Sequence, residues 1–272
     1  MAATAVVVEG GGMKATFAHG ALCAFEEAGW RDFSIYGTSA GGAVGAWFAA
    51  GQAEYARKTW DYAADPRFLD YGRLLRGGPL LDHDALIDIV YAKEMPLDVP
   101  AVRRHRHPVV VTASDADTGE TLVADVRRGD TLAWLRATGR LPLFSGPPVT
   151  LEGRRLVDGG VLEPIPLRRA VEDGHKHILL LANTPPGPRR SDARMVLHLA
   201  GRRYPALRQA ILEHEARKES ALALAAAPPA GVRVDVVRSP PGGPHRLDRR
   251  LALLHAHLER GRQAGHDYLK GV

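Results

Sequence analysis

Three apolar runs without alternation do most to limit the folds open to this chain. They are Thr4 to Val8, Val109 to Ala113 and Ile178 to Ala182. A strand with one face in water alternates apolar and polar residues, whereas a strand covered on both faces has no reason to. Such strands belong to parallel sheets held between helices. Phe33 to Tyr36 and Val232 to Val237 read as two more buried strands. Arg155 to Asp158 reads as a short one, and Thr121 to Ala124 pairs back on Val109 to Ala113 as a hairpin.

Helical patterns fill the intervals. In Thr16 to Gly29, the residues Phe17, Ala21, Ala24, Phe25 and Ala28 fall at helical spacing. Ala40 to Ala50, Gln52 to Ala63, Asp82 to Tyr91, Thr131 to Thr138, a stretch from Leu167, Ser191 to Leu199 and Tyr204 to Ala226 read likewise. The last segment, Leu247 to Leu269, is amphipathic, with Leu251, Leu254, Leu258 and Tyr268 toward the body. Strands alternating with helices predict an α/β fold: an open, mostly parallel sheet with helices on both faces, three layers α/β/α. With 272 residues, 45% of them apolar, the chain is read as one domain over residues 1–272, in which about 70–100 form a cap.

Phe33 to Tyr36 runs into Gly37-Thr38-Ser39-Ala40-Gly41, which is Gly-x-Ser-x-Gly between a strand and a helix. A serine at the apex of such a turn is lifted from the sheet, with its hydroxyl over a helix N-terminus. Gly37 and Gly41 stand where a Cβ would meet neighbouring backbone. The same letters also suit an ordinary loop, so the nucleophile reading depends on what else converges there.

The first strand ends in a second such feature, Glu9-Gly10-Gly11-Gly12-Met13-Lys14-Ala15, just before a helix. The first N–H groups of a helix lack internal partners and attract anions. A nucleotide-phosphate loop requires Gly-x-x-x-x-Gly-Lys-Ser/Thr, which is absent. Gly10, Gly12 and Ala15 match a dinucleotide fingerprint in form, but the acidic residue at the end of the second strand is missing. The third reading is an oxyanion hole lying beside the serine turn, since both loops occupy the C-terminal ends of neighbouring strands. A third stretch, Asp158-Gly159-Gly160, also ends a strand and can face the same side.

Other polar clusters read as structural. Asp115, Asp117 and Gly119 form a turn without the twelve-residue calcium pattern. His83 and Asp84 read as helix N-terminal residues. His19, His175, His177, His198, His214, His255 and His257 sit on helices or loops, mostly away from the strand ends, which leaves little support for a Ser-His-Asp triad. The single cysteine, Cys23, rules out an internal disulfide and reads as core. The net charge, 36 − 31 = +5, suits an anionic membrane face as well as a nucleic acid. No aromatic-interleaved basic motif favours nucleic acid, and none is expected as a partner. Met1 to Val8 is too short for a secretory leader, and no apolar run approaches the ~20 residues of a membrane span. The expected location is cytoplasmic, at most peripheral to the inner membrane face.

Together, Gly10-Gly11-Gly12-Met13-Lys14, Gly37-Thr38-Ser39-Ala40-Gly41 and Asp158-Gly159-Gly160 closely resemble the patatin-like phospholipase family. Val157 to Pro166 is similar to its bacterial members, and Leu258-Glu259-Arg260-Gly261 looks like the family's closing helix. The resemblance implies a serine lipid acyl hydrolase (phospholipase A, lysophospholipase or carboxylesterase-like) acting through an acyl-enzyme, with Ser39 as nucleophile and Asp158 as proton acceptor. It implies an oxyanion hole at Gly10, Gly11, Gly12 and Met13, support from Lys14, Gly37, Gly41, Gly159 and Gly160, a lipid or acyl-ester substrate, and neither cofactor nor metal. Two positions depart from the family pattern: Ala15 replaces a glycine, and Thr138 stands where relatives carry Ser or Ala. Acyl transfer on the same dyad, and a phosphate-binding protein in which Ser39 is inert, are the alternatives.

Overall fold

The computed structural model describes residues 4–186 and 201–271. The expected helix Ser191 to Leu199, with His198 in it, lies outside the described residues. Among those described, eight strands form one sheet: β1 (Ala5–Val8), β2 (Ser34–Thr38), β3 (Val109–Asp115), β4 (Thr121–Asp125), β5 (Val149–Leu151), β6 (Arg154–Asp158), β7 (His177–Ala182) and β8 (Arg233–Arg238). Their order is β5-β6-β3-β2-β1-β7-β8, with β4 beside β3. The five strands β3, β2, β1, β7 and β8 are parallel; β4 and β6 pair antiparallel with β3, and β5 pairs antiparallel with β6 and so runs in the same sense as the five.

The longer helices are α1 (Thr16–Glu27), α2 (Ala40–Ala49), α3 (Val99–Arg104), α4 (Thr131–Thr138), α5 (Leu167–Glu172), α6 (His214–Ala226) and α7 (Leu251–Lys270). Successive strand residues point to opposite faces, so each buried run feeds two cores. Val6, Val8, Val109, Val111, Leu179 and Leu181 pack with side chains of α1, α2 and α4. Ala5, Val7, Val110, Ile178 and Leu180 pack on the other face against Leu167 and Ala170 of α5 and Ala225 of α6. That is the three-layer α/β/α architecture. β8 differs from expectation: it is an edge strand whose residues are partly or fully exposed, Val236 included. With helical cover thin over the edge, Arg233, Asp235 and Arg238 can share the strand with its valines.

The closing helix α7 packs on α1 at very short range. A Cβ on Gly20 would lie 1.9 Å from the carbonyl oxygen of Leu258, and one on Gly261 would lie 1.9 Å from that of Phe17. The two glycines thus notch the helices into each other, and Leu254 and Leu258 are fully buried beside the crossing.

Two expected helices wind differently. Ala53–Ala56 is one α-helical turn, with its N–H groups at Ala53 and Glu54 held by the Glu26 carboxylate, and Arg57–Ala64 tightens into a 3-10 run. The run brings the Trp60 indole N–H to His19 Nδ1 at 2.7 Å. In the cap stretch, Asp82 caps the chain by accepting from the Ala85 N–H at 2.9 Å, and Leu86–Glu94 then opens into wide π turns.

Candidate functional site

The register of β3 sets the geometry. Thr112 pairs with Thr38 of β2, and the next residue, Ala113, pairs with Asp158 of β6. β4 occupies the opposite edge of β3 throughout Val110 to Ser114. The C-terminal ends of β2 and β6 therefore meet head to head along one edge. A parallel strand and an antiparallel strand thereby deliver two polar side chains to a single point.

Ser39 follows Thr38 with φ 56° and ψ −131°, a left-handed backbone that costs of the order of 1–3 kcal/mol for a residue with a side chain. Its own neighbours hold it there. Its N–H donates to Thr138 Oγ1 at 2.8 Å, and its carbonyl accepts from the N–H groups of Gly42 and Ala43 as α2 begins. Gly41 lets that helix press on the end of β1, because a Cβ there would sit 2.6 Å from the Val8 carbonyl oxygen. Thr138, the second departure from the family pattern, is thus the acceptor for the serine's amide.

The Ser39 hydroxyl donates to Asp158 Oδ2 at 2.6 Å. Asp158 Oδ1 accepts from the Gly160 N–H at 2.7 Å, its amide donates to the Arg140 carbonyl, and its carbonyl accepts from Ser114 Oγ. Burial pushes the Asp158 carboxyl up to about 6; the Ser39 hydroxyl, the Gly160 amide and the charge of Arg246 act in the opposite direction. A carboxylate so placed is a stronger base than an ordinary aspartate, and it reaches the serine proton directly.

The Gly-rich loop brings Gly12 to the same place, and its hydrogen bonds sort its amides. The Gly10 N–H donates to the Pro164 carbonyl and the Met13 N–H to the Arg246 carbonyl. Both are occupied, so the expectation of four oxyanion donors is corrected: among the described residues only Gly11 and Gly12 of that set have amides with no backbone acceptor. Gly12 has φ 57°, and a Cβ there would lie 2.3 Å from the Arg246 carbonyl oxygen, so the loop can take this path only with glycine. Ala15 has φ −67°, an ordinary helical value, so this position has no need of glycine.

Two cavities meet at Ser39. The first, about 940 Å³ including its mouth, lies under the cap stretch and is lined by apolar side chains such as Val44, Trp47, Trp60, Phe68 and Ile87. The second, about 890 Å³ including its mouth, also reaches Asp158, Gly11 and Gly12 and carries His214, Lys218 and Arg246 on its wall. These three residues gave no signal in the sequence; they come from a helix and a loop that only the tertiary fold brings to the strand ends. His214 in particular is not the remote helix histidine expected. The other histidines are engaged elsewhere. His19 bonds the Ala53 carbonyl, His257 lies between Thr16 and Ser239, His177 meets Asp235, and His255 meets Asp61. The side chains of Ser39 and Asp158 hydrogen-bond each other and no histidine. His83 lines the first cavity, and Asp84 pairs with Arg140. Asp115 serves its own turn, accepting from the N–H groups of Asp117 and Thr118.

An open α/β sheet with a serine at a strand-turn-helix apex, an aspartate at the end of an adjoining strand and a Gly-rich loop beside both defines the class of protein to which this chain belongs. The family model for patatin-like phospholipase matches residues 6–171, and the chain is a member of that family. The chain is 33% identical over 196 residues to an uncharacterized protein, YjjU, of Escherichia coli K12; the match covers 66% of this chain and 52% of that protein, so the chain spans about half the length of the curated relative it matches. Among solved structures it is similar to VipD from Legionella pneumophila, with a TM-score of 0.46 and 12% identity, over 99% of this chain and 67% of that one.

Proposed function

We propose that the protein hydrolyses acyl esters of lipids with Ser39 as nucleophile and Asp158 as its proton acceptor. The 2.6 Å hydrogen bond from Ser39 Oγ to a buried carboxylate carries this reading. A serine hydroxyl is a poor nucleophile until a neighbour takes its proton. Here Oγ attacks the ester carbonyl while its proton moves to Asp158. The negative charge developing on the carbonyl oxygen is met by the N–H groups of Gly11 and Gly12, each donor of this kind being worth about 3–4 kcal/mol in related chemistry. Collapse of the tetrahedral adduct breaks the ester C–O bond, and Asp158 returns the proton to the departing alcohol. Water then attacks the acyl-enzyme, giving its proton to Asp158; collapse of this second adduct breaks the bond from the acyl carbon to Ser39 Oγ, Asp158 returns the proton to Oγ, and the fatty acid leaves.

The substrate class follows from the first cavity. Its wall is mostly apolar, with Ser39, Thr59, His83 and Arg246 among its polar side chains, so a fatty-acyl chain gains by entering it, at about 0.8 kcal/mol for each buried CH2. The residues at 70–100 supply part of that wall and act as a cap on a single domain. Exposed Tyr71 bonds the carbonyl of Leu247, a lining residue of both cavities, and exposed Leu212 adjoins Ile211 of the second. These apolar rims and the net charge of +5 favour work at an anionic membrane surface. Among the described residues no helix is long and apolar enough to cross a membrane.

A fluorophosphonate probe and a panel of acyl esters test the assignment. Ser39→Ala should lose both labelling and turnover, and turnover at the wild-type rate would refute it. Assays with added alcohols separate hydrolysis from acyl transfer, which uses the same dyad.

A further inference from the structure

The second cavity carries chemistry that the reaction at Ser39 does not use. Its cationic wall comes from beyond residue 171, where the family match ends. Lys218 and Glu9 form a buried ion pair at 2.5 Å, reinforced by Thr184, so the lysine's charge is balanced behind the Gly-rich loop. Arg246 is different. It is exposed at the mouth shared by both cavities, and among the described residues no carboxylate lies within ion-pair distance of it. Its Nη2 reaches His214 Nε2 at 3.4 Å. His214 shares the wall of the second cavity with Gly160, the residue whose amide holds Asp158. Burial first, then the charges of Arg246 and Lys218, lower the His214 imidazole to about 4, so at neutral pH it is an uncharged acceptor that aims the guanidinium without competing for an anion.

We propose that Arg246, oriented by His214, binds a phosphate carried on the alcohol part of the ester, while the acyl chain lies in the first cavity. The proposal rests on the acyl-hydrolase reading of Ser39. Both cavities open at Ser39 and share Arg246 at their mouth, but Asp158, His214 and Lys218 line only the second, so an ester bond placed at Ser39 has its acyl side in the first and its alcohol side in the second, with the guanidinium beside it. A guanidinium presents parallel N–H donors that match two phosphate oxygens, a fit that a lone ammonium lacks. His214 is a positioning residue here, and Arg246 is the ligand.

The test compares a monoacylglycerol with the monoacylglycerol phosphate of the same acyl chain. The expected result is that Arg246→Ala lowers the ratio of kcat/KM, phosphate ester over neutral ester, by roughly 10–100-fold, through KM. Arg246→Lys should keep part of the ratio, and His214→Gln should lose less of it than Arg246→Ala. A ratio unchanged in Arg246→Ala, with Arg246→Lys as the control for folding, overturns the subsite. Inorganic phosphate forms the second arm. Competitive inhibition that Arg246→Ala relieves supports a site for the free anion; discrimination between the esters without such inhibition supports recognition of the lipid phosphate alone. If wild-type protein turns over neither ester and Ser39 takes no fluorophosphonate label, the acyl-hydrolase reading fails and the subsite with it.

Discussion

Thr38 and Asp158 face consecutive residues of one strand, Thr112 and Ala113, from the same edge. This relationship sets the spacing between the serine that follows Thr38 and the carboxylate of Asp158. No loop has to close for the two to meet, because the sheet has already placed them.

Asp158→Asn should abolish most turnover while leaving the site's shape intact. The new amide can accept from the Gly160 N–H and donate to Ser39 Oγ, so both neighbours keep a hydrogen-bonding partner at this position, but the serine proton has no base. A loss of about 10³–10⁴ in kcat is expected by analogy with amide replacement of a catalytic aspartate. For the wild type, kcat/KM should rise with pH through about 6, where Asp158 ionises. Stability runs the other way. A carboxyl whose folded pKa is raised favours folding when protonated, and that stability is lost as pH climbs from about 4 through 6. Thermal melts should therefore show Asp158→Asn more stable than wild type at pH 8, by up to about 3 kcal/mol, with the gap closing at pH 4.

Thr138→Ala should cost both stability and activity, and Thr138→Ser should restore them. The threonine oxygen is the acceptor for the Ser39 amide, and removing it strands a donor in a fully buried corner at about 1–3 kcal/mol. The serine is then freer to relax from its left-handed backbone, and kcat should fall more than KM rises. Steady-state kinetics and melts on the two variants separate this from simple loss of packing, since the serine variant keeps the oxygen but not the methyl.

Ala43→Phe should shift chain-length preference. Ala43 lies one turn beyond Ser39 and lines the first cavity. A ring there takes space that a long acyl chain would fill, so the kcat/KM ratio of palmitoyl to butyryl esters should drop by tenfold or more. An unchanged ratio would place the acyl chain elsewhere.

Acid should destabilise the protein before it reaches the carboxylates. Burial lowers His19 and His257 to about 4 each. A histidine whose folded pKa is depressed takes its proton more readily when unfolded, so the stability it holds at neutral pH is lost as pH falls from about 6.5 toward 4, by about 3 kcal/mol each at most. Urea titrations from pH 7 to 4.5 should show this slope, and His19→Gln should flatten it by that residue's share.

What the sequence makes legible follows the physics of each element. The buried strands declare themselves because Val6 to Val8 and Ile178 to Leu181 must suit two cores at once. Ser39 is visible because a sharp strand-to-helix turn demands glycines on both sides. The β5–β6 hairpin is hidden: β5 has three residues, and its turn uses Glu152 with φ 52° before Gly153, where an asparagine or aspartate would have signalled it. The donor set of the Gly-rich loop was beyond reach for another reason. Whether Met13 offers its amide depends on the Arg246 carbonyl, more than two hundred residues away in the chain. Lys218 and Arg246 were illegible likewise, as lone cations on a helix and a loop carry no period or spacing.

The notched crossing of α1 and α7 has a consequence for the molecule's modularity. The recognisable family span ends at residue 171, yet the helix that leads out of its Gly-rich loop is braced by residues near position 260. That span is not a detachable unit. Cut away from its far end, it would leave a grooved, greasy flank with nothing to lean on, and small changes deep in the tail, such as a methyl group added at Gly261, should be felt at the opposite end of the chain.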